Sequence, residues 1–252
     1  MTVSPASRLD RTVDFVPDQL ARQAELRSYR RFARIVGPRV AQPAPLQGIP
    51  TVLVPGFISG DVSLTMLARR LRRSGHRTFG SKIGANLGCT DAMVDRLIAR
   101  LEVVVAVEGP VSLVGHSRGG MIVAIAARRR PDLVRSVVLL SAPVTGTLSV
   151  AAHVRTQLEL LYRLNRRGLR SMMSEDCVLG ECGDRVAAEL ASPFPETIPY
   201  LSIYTRSDAI IDWHTCLDPA AELVEVNSSH TGMATDPAVL DIVAERLTSL
   251  IG

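Results

Sequence analysis

The chain has 252 residues, 46% hydrophobic and 21% charged, with a formal net charge of +4. That is enough for one large domain with a sizeable core, and it excludes a disordered or low-complexity chain. Aromatics are only 4%, and the charge excess sits in residues 1–50 (eight arginines against four acids), which argues against a nucleic-acid surface. No apolar run is long enough to cross a bilayer. The N-terminus shows no apolar segment followed by a small-residue cleavage site, so the expected location is the cytoplasm.

In chain order, residues 1–48 are expected to form a basic helical arm. "DQLARQAELRSYRRFARIV" spaces Leu20, Leu26, Tyr29, Phe32, Ala33 and Val36 helically, with arginines between them. Such a helix covers an apolar part of its own domain or lies on a membrane surface, and the first is preferred. "GPRVAQPAPLQGIP" then breaks it. Within 49–252, "TVLVPGF", "RTFGSKI", "PVSLVGH" and "LVRSVVLLSAP" carry strand signals. They alternate with helix signals in "LTMLARRLRRSG", "DAMVDRLIARLEVVVAV" and "MIVAIAARRR". The alternation predicts right-handed βαβ units on a mostly parallel sheet flanked by helices. From about residue 146 to 196 the rhythm changes to a helical insertion with a cysteine loop. Strands resume at "YLSIYT" and "AELVEV", and a last helix spans about 237–250.

Cysteines stand at 89, 177, 182 and 216. No histidine lies near them in sequence to complete a zinc set, so the reading is four reduced thiols or a labile 177–182 disulfide. Neither a metal nor an organic cofactor is implied.

The informative stretch is "VSLVGHSRGGMIVAIAARRR". Gly115-His-Ser117-Arg-Gly119 ends a predicted strand and opens a predicted helix, the setting that a nucleophile elbow requires. The glycines remove side chains that would crowd the turn, and the helix N-terminus favours negative charge developing near the serine oxygen. The serine needs a base. Of His76, His116, His153, His214 and His230, the last sits in "VEVNSSHTGM", between the last strand and the last helix. His116 is expected to pack, His76 to face solvent, and His153 to lie on the insertion. The base needs a carboxylate, and "YLSIYTRSDAIIDWH" offers Asp208 and Asp212. Ile210, Ile211 and Trp213 suggest that the chain has already turned back to pack by Asp212.

The stretches "VLVPGFISG", "LVGHSRGG", "YTRSDAIIDW" and "SSHTGM" resemble α/β-hydrolases of the bacterial lipase and esterase type, over about residues 49–252. The resemblance implies the α/β-hydrolase fold with a small helical cap, and a triad in the order Ser117, Asp208, His230. It also implies oxyanion donors at the N–H groups of Phe57 and Arg118. Where that family commonly has His-Gly before the first donor, this chain has Pro55-Gly56. The expected activity is hydrolysis of an apolar carboxylic ester, a small molecule or a lipid, through an acyl-enzyme. Leu158, Leu160, Leu161 and Leu164 of the cap either contact the acyl chain or seat the cap. An acyltransferase with the same triad, or a binding protein on a hydrolase scaffold, are the alternatives.

Overall fold

The computed structural model describes residues 12–35, 48–146 and 148–249. β1 (Thr12–Phe15) and α1 (Gln19–Ile35) come first. The body is a six-stranded sheet of β2 (Ile49–Val54), β3 (His76–Gly80), β4 (Val111–His116), β5 (Val134–Leu140), β7 (Tyr200–Tyr204) and β8 (Glu222–Glu225). Every pairing in it is parallel, and the order is β3-β2-β4-β5-β7-β8. α2 (Thr65–Arg73), α3 (Thr90–Glu108) and α4 (Arg118–Arg129) supply the first crossovers, and α8 (Pro237–Ser249) follows β8.

A parallel sheet covered on both faces demands strands that are apolar at every position. β4 and β5 come close to it: every residue but His116 and Arg135 is buried, Ser112 and Ser136 hydrogen-bond each other, and beyond these serines the apolar side chains alternate between the two faces. Val52, Val54, Leu113, Val137 and Leu139 join the core that α3 and α4 cover. Leu53, Val114, Val138, Leu140 and Leu201 join the one that α2 and α8 cover. The chain leaves β2 outward to β3, then returns to β4 on the other side of β2. The order of connection therefore reverses between β2 and β4, and the crevice at the carboxyl ends of those two strands is where such folds place ligands.

Between β5 and β7 lie β6 (Leu148–Ala151), α5 (Ala152–Arg166), α6 (Asp176–Leu179) and α7 (Glu181–Ala191). The expected cysteine loop is thus mostly helical. Glu181 and Asp184 in the first turn of α7 complement the partial positive charge at that helix end. Leu158 and Leu161 are buried, while Leu160 is exposed.

Two expectations are corrected. The face of α1 that packs is not the one its leucines mark. Leu20 is 73% exposed and Leu26 51%, whereas Ala21 and Glu25 are buried. Ala21 allows close approach, and Glu25 and Ser28 find polar partners on the segment after β8, so the helix docks through hydrogen bonds. The side chains of Phe32 and Ala33, and Val36, lie outside the described residues, as does most of the linker "GPRVAQPAPLQGIP". His76 does not face solvent. It opens β3, paired with Ile49, and is fully buried, with Nε2 3.2 Å from Thr248 Oγ1 at the end of α8.

Candidate active site

β4 runs into α4 through Ser117, which holds φ +53° and ψ −127°, a left-handed backbone that few non-glycine residues adopt. Its own N–H donates to Leu140 O at 2.8 Å, and its C=O accepts from Gly120 N–H at 2.8 Å. The turn is tight enough to exclude side chains at its flanks. A Cβ on Gly115 would come within 2.5 Å of Gly120 Cα, and one on Gly119 within 2.5 Å of Pro55 O. Ser117 Oγ makes no hydrogen bond among the described residues. Ser117 lines a cavity of about 1090 Å³, together with His230, Phe57, Leu158, His153 and Tyr29.

His230 and Asp208 meet behind that cavity. Nδ1 of His230 donates to Asp208 Oδ2 at 2.7 Å, and both residues are buried. Asp208 Oδ1 accepts from Ile210 N–H at 2.8 Å and Ile211 N–H at 2.9 Å, so the carboxylate is fixed from both sides. With Nδ1 donating, Nε2 is left as the acceptor. Burial pulls the His230 pKa down, but the Asp208 charge and hydrogen bond, with Glu25 behind them, outweigh it and hold the group above its ordinary value. His116 goes the other way. Burial, then the neighbouring His230 charge, pulls it down to about 3, so it stays neutral. Its Nε2 lies 2.9 Å from His230 O, so it anchors the loop that carries His230.

Asp212, the other candidate acid, does not turn toward His230. Its Oδ1 accepts from His214 N–H at 3.0 Å and lies 2.7 Å from His214 Nδ1, beside the exposed stack of Trp213 on His214. Ile211 is buried, as the sequence pattern implied.

Phe57 follows β2 and Arg118 opens α4. Among the described residues neither N–H is engaged in a hydrogen bond, and Arg118, as the first helical residue, has no acceptor within its helix. The parallel pairing of β2 with β4 brings these two segments side by side.

Four side chains, those of Arg118, Asn86, Glu25 and Ser28, escape sequence reasoning. The Arg118 side chain runs inward and is buried. It donates to Asn86 O at 2.9 Å, Gly88 O at 2.6 Å and Thr90 Oγ1 at 3.0 Å, and also to Asn86 Oδ1. Asn86 in turn donates from Nδ2 to Pro55 O at 2.7 Å. An Arg–Asn bridge therefore ties the turn after β4 to the segment after β2, at the place where this chain has proline. Glu25 of α1 accepts from Thr231 N–H at 2.9 Å, and Ser28 Oγ lies 2.7 Å from Ser229 Oγ. The arm thus flanks His230 on both sides in sequence. An exposed amphipathic pattern gives no signal of such contacts. All four cysteines are free, Cys177 and Cys182 included.

Among the described residues, no helix is long and apolar enough to cross a membrane. A family profile described as the alpha/beta hydrolase fold matches residues 92–169. Naproxen esterase (carboxylesterase NP) from Bacillus subtilis superposes with a TM-score of 0.55 at 18% identity, over 92% of this chain and 97% of that one. A metagenomic carboxyl esterase gives 0.58 at 20% identity, over 85% and 80%. A monoacylglycerol lipase from Paleococcus ferrophilus gives 0.57 at 17% identity, over 81% and 97%. These likenesses agree with the strand order, the turn after β4 and the matched profile: the chain has the α/β-hydrolase fold.

Proposed function

We propose that the protein is a serine carboxylic-ester hydrolase with Ser117 as nucleophile, His230 as general base and acid, and Asp208 as the acid that orients the imidazole. The observation that carries this reading is Ser117 at φ +53°, facing the same cavity as a His230 whose Nδ1 is committed to Asp208. In this mechanism Ser117 Oγ attacks the ester carbonyl while its proton passes to His230 Nε2. The oxyanion is met by the Phe57 and Arg118 N–H groups, each contributing about 10²–10³ in rate if comparable with known donors. His230 then protonates the leaving alcohol as the tetrahedral adduct collapses. Water repeats the sequence on the acyl-enzyme and restores the free serine.

An apolar ester suits the cavity. Met121, Val154, Val186, Leu190 and Phe194 line it beside Leu158, so of Leu158, Leu160, Leu161 and Leu164 the cavity takes Leu158, while Leu161 packs in a cluster with Tyr162, Met173 and Cys177. The volume is at the upper end of small-molecule pockets, which favours an acyl group or alcohol of several carbons over acetate esters. The similar structures bear esterase and lipase names, which supports the same substrate class here.

A fluorophosphonate probe and a series of p-nitrophenyl esters of rising chain length test the reading. The expected result is labelling of Ser117 and turnover of the longer esters, both abolished in Ser117→Ala. Labelling without hydrolysis of any ester would favour an acyltransferase. No labelling would favour a binding protein.

A further inference from the structure

Three thiols converge where the inserted helices meet the body. Cys89 is the residue before α3, Cys177 lies in α6 and Cys182 in the first turn of α7. Their sulfurs all lie within 4.8 Å of one another, with 3.2 Å between Cys89 Sγ and Cys182 Sγ. Cys177 and Cys182 are buried and Cys89 is half-buried. Tertiary structure alone brings the first to the other two, across more than eighty residues of sequence.

Charge supplies a second, independent observation. The enclosed Arg118 guanidinium makes four hydrogen bonds, all to neutral acceptors on residues 86–90, the segment that ends in Cys89 and Thr90. Among the described residues no carboxylate pairs with it, and the ionisable groups whose charge bears on it most are Cys89, Cys177 and Tyr162. A buried cation without a counter-charge is costly. Three thiolates around a divalent ion carry one net negative charge, which matches the single positive charge of Arg118.

We propose that Cys89, Cys177 and Cys182 form a thiolate site for a divalent d¹⁰ metal ion, Zn²⁺ or a softer congener, that clamps the inserted helices to the start of α3. Zn–S bonds of about 2.3 Å at a tetrahedral centre separate sulfurs by about 3.8 Å, so the three need only small adjustments. Ser174 Oγ, 3.2 Å from Cys177 Sγ, or a water completes the fourth position. Cys177 also lines the large cavity, which gives the ion an entry path. Binding converts thiols to thiolates and releases their protons to solvent, with no redox change. The site does not depend on the ester chemistry, so its test is separate.

The test uses full-length, reduced, metal-free protein titrated with Cd²⁺ and followed by thiolate-to-metal charge-transfer absorption, with Zn²⁺ as competitor. One ion per chain is expected. Cys89→Ser, Cys177→Ser and Cys182→Ser should each weaken binding at least ~10-fold, the minimum expected from losing a ligand when outer-shell changes already cost that much. Cys216→Ala, in a separate buried cluster, should leave it unchanged. The wild-type chain gives a second reading that no folding defect can mimic. Zn²⁺ should release protons and shield Cys89, Cys177 and Cys182 from alkylation mapped by mass spectrometry. Sub-stoichiometric uptake, or affinity indifferent to the three serine substitutions, overturns the proposal. So does a Cys89–Cys182 disulfide in the isolated protein that, once reduced, leaves thiols unable to take up metal.

Discussion

Replacing Asp208 by asparagine tests the proposed mechanism at the level of a single proton. Asp208 Oδ1 accepts two backbone N–H groups at 2.8 and 2.9 Å, and Oδ2 accepts from His230 Nδ1 at 2.7 Å. An asparagine amide must choose. Keeping its oxygen on Ile210 and Ile211 turns its NH₂ toward His230 Nδ1, which must then accept, moving the ring proton to Nε2. A protonated Nε2 cannot take the serine proton. Flipping the amide instead saves the imidazole but faces NH₂ against two buried N–H donors, at about 1–3 kcal/mol for each group left unsatisfied. The first arrangement therefore prevails, and turnover should fall by about 10⁴, or about 5.4 kcal/mol of transition-state stabilisation. The pH profile provides a second readout. Catalysis needs neutral His230, so the acid limb of kcat/KM reports its pKa in the free enzyme. The charge and hydrogen bond of Asp208 are what raise that pKa against burial. Without them burial dominates, and the acid limb of the residual activity should move to lower pH. Stopped-flow or steady-state ester hydrolysis across pH 4–9, with Asp212→Asn as control, measures both effects. The control should lose less than about tenfold and keep its profile, since Asp212 bonds His214. Near-wild-type activity in Asp208→Asn, or a larger loss in Asp212→Asn, would refute the assignment.

Further expectations concern the turn and the arm. Ser117→Ala and Ser117→Gly should both abolish ester turnover, but the glycine variant should be more stable by about 1 kcal/mol, because it alone adopts φ +53° without penalty; denaturant melts that rank them the other way would contradict the strain. Gly119→Ala should lower Tm severely or prevent folding, since the new methyl meets the backbone of Val54 and Pro55, and thermal melting measures it. Glu25→Gln should move the acid limb of kcat/KM slightly to lower pH, because it removes a negative charge that raises the His230 pKa. Deleting residues 1–40 should lower activity as well as Tm, through loss of the Glu25–Thr231 and Ser28–Ser229 contacts, and should leave liposome binding unaltered in co-sedimentation.

The body of the fold was legible because a doubly covered parallel sheet writes itself as short apolar runs between helices. β4, β5 and β7 fall on the stretches whose composition marks them. The turn at Ser117 was legible because only glycines fit beside it. The arm misled for a physical reason. Leu20 and Leu26 carry the helical apolar signal, yet the docking face is small and polar, and Glu25 is buried because Thr231 offers it an N–H. His76 misled likewise, since a histidine after a helix looks solvated until α8 returns, more than 150 residues later, to cover it. The Arg118–Asn86 bridge and the meeting of three cysteines depend on which distant loops lie side by side, and local sequence holds no record of that.

The small second sheet has a consequence for how the chain is made. β1 pairs in parallel with β6, so Thr12–Phe15 finds its partner only in Leu148–Ala151. β6 in turn exchanges backbone hydrogen bonds with the segment after β7, through Ala151 N–H to Ile210 O at 2.8 Å and Asp212 N–H to Ser149 O at 3.1 Å. Thr12–Phe15 therefore leaves the ribosome well before its partner Leu148–Ala151, whose own support arrives some two hundred residues after β1. During synthesis it presents an unpaired edge while the core sheet assembles behind it. Contacts of such long sequence separation are slow to form, because the chain between them must be ordered first. Docking of the arm beside His230 is thus expected as a late event in folding, and the site would be completed only after the sheet that carries it.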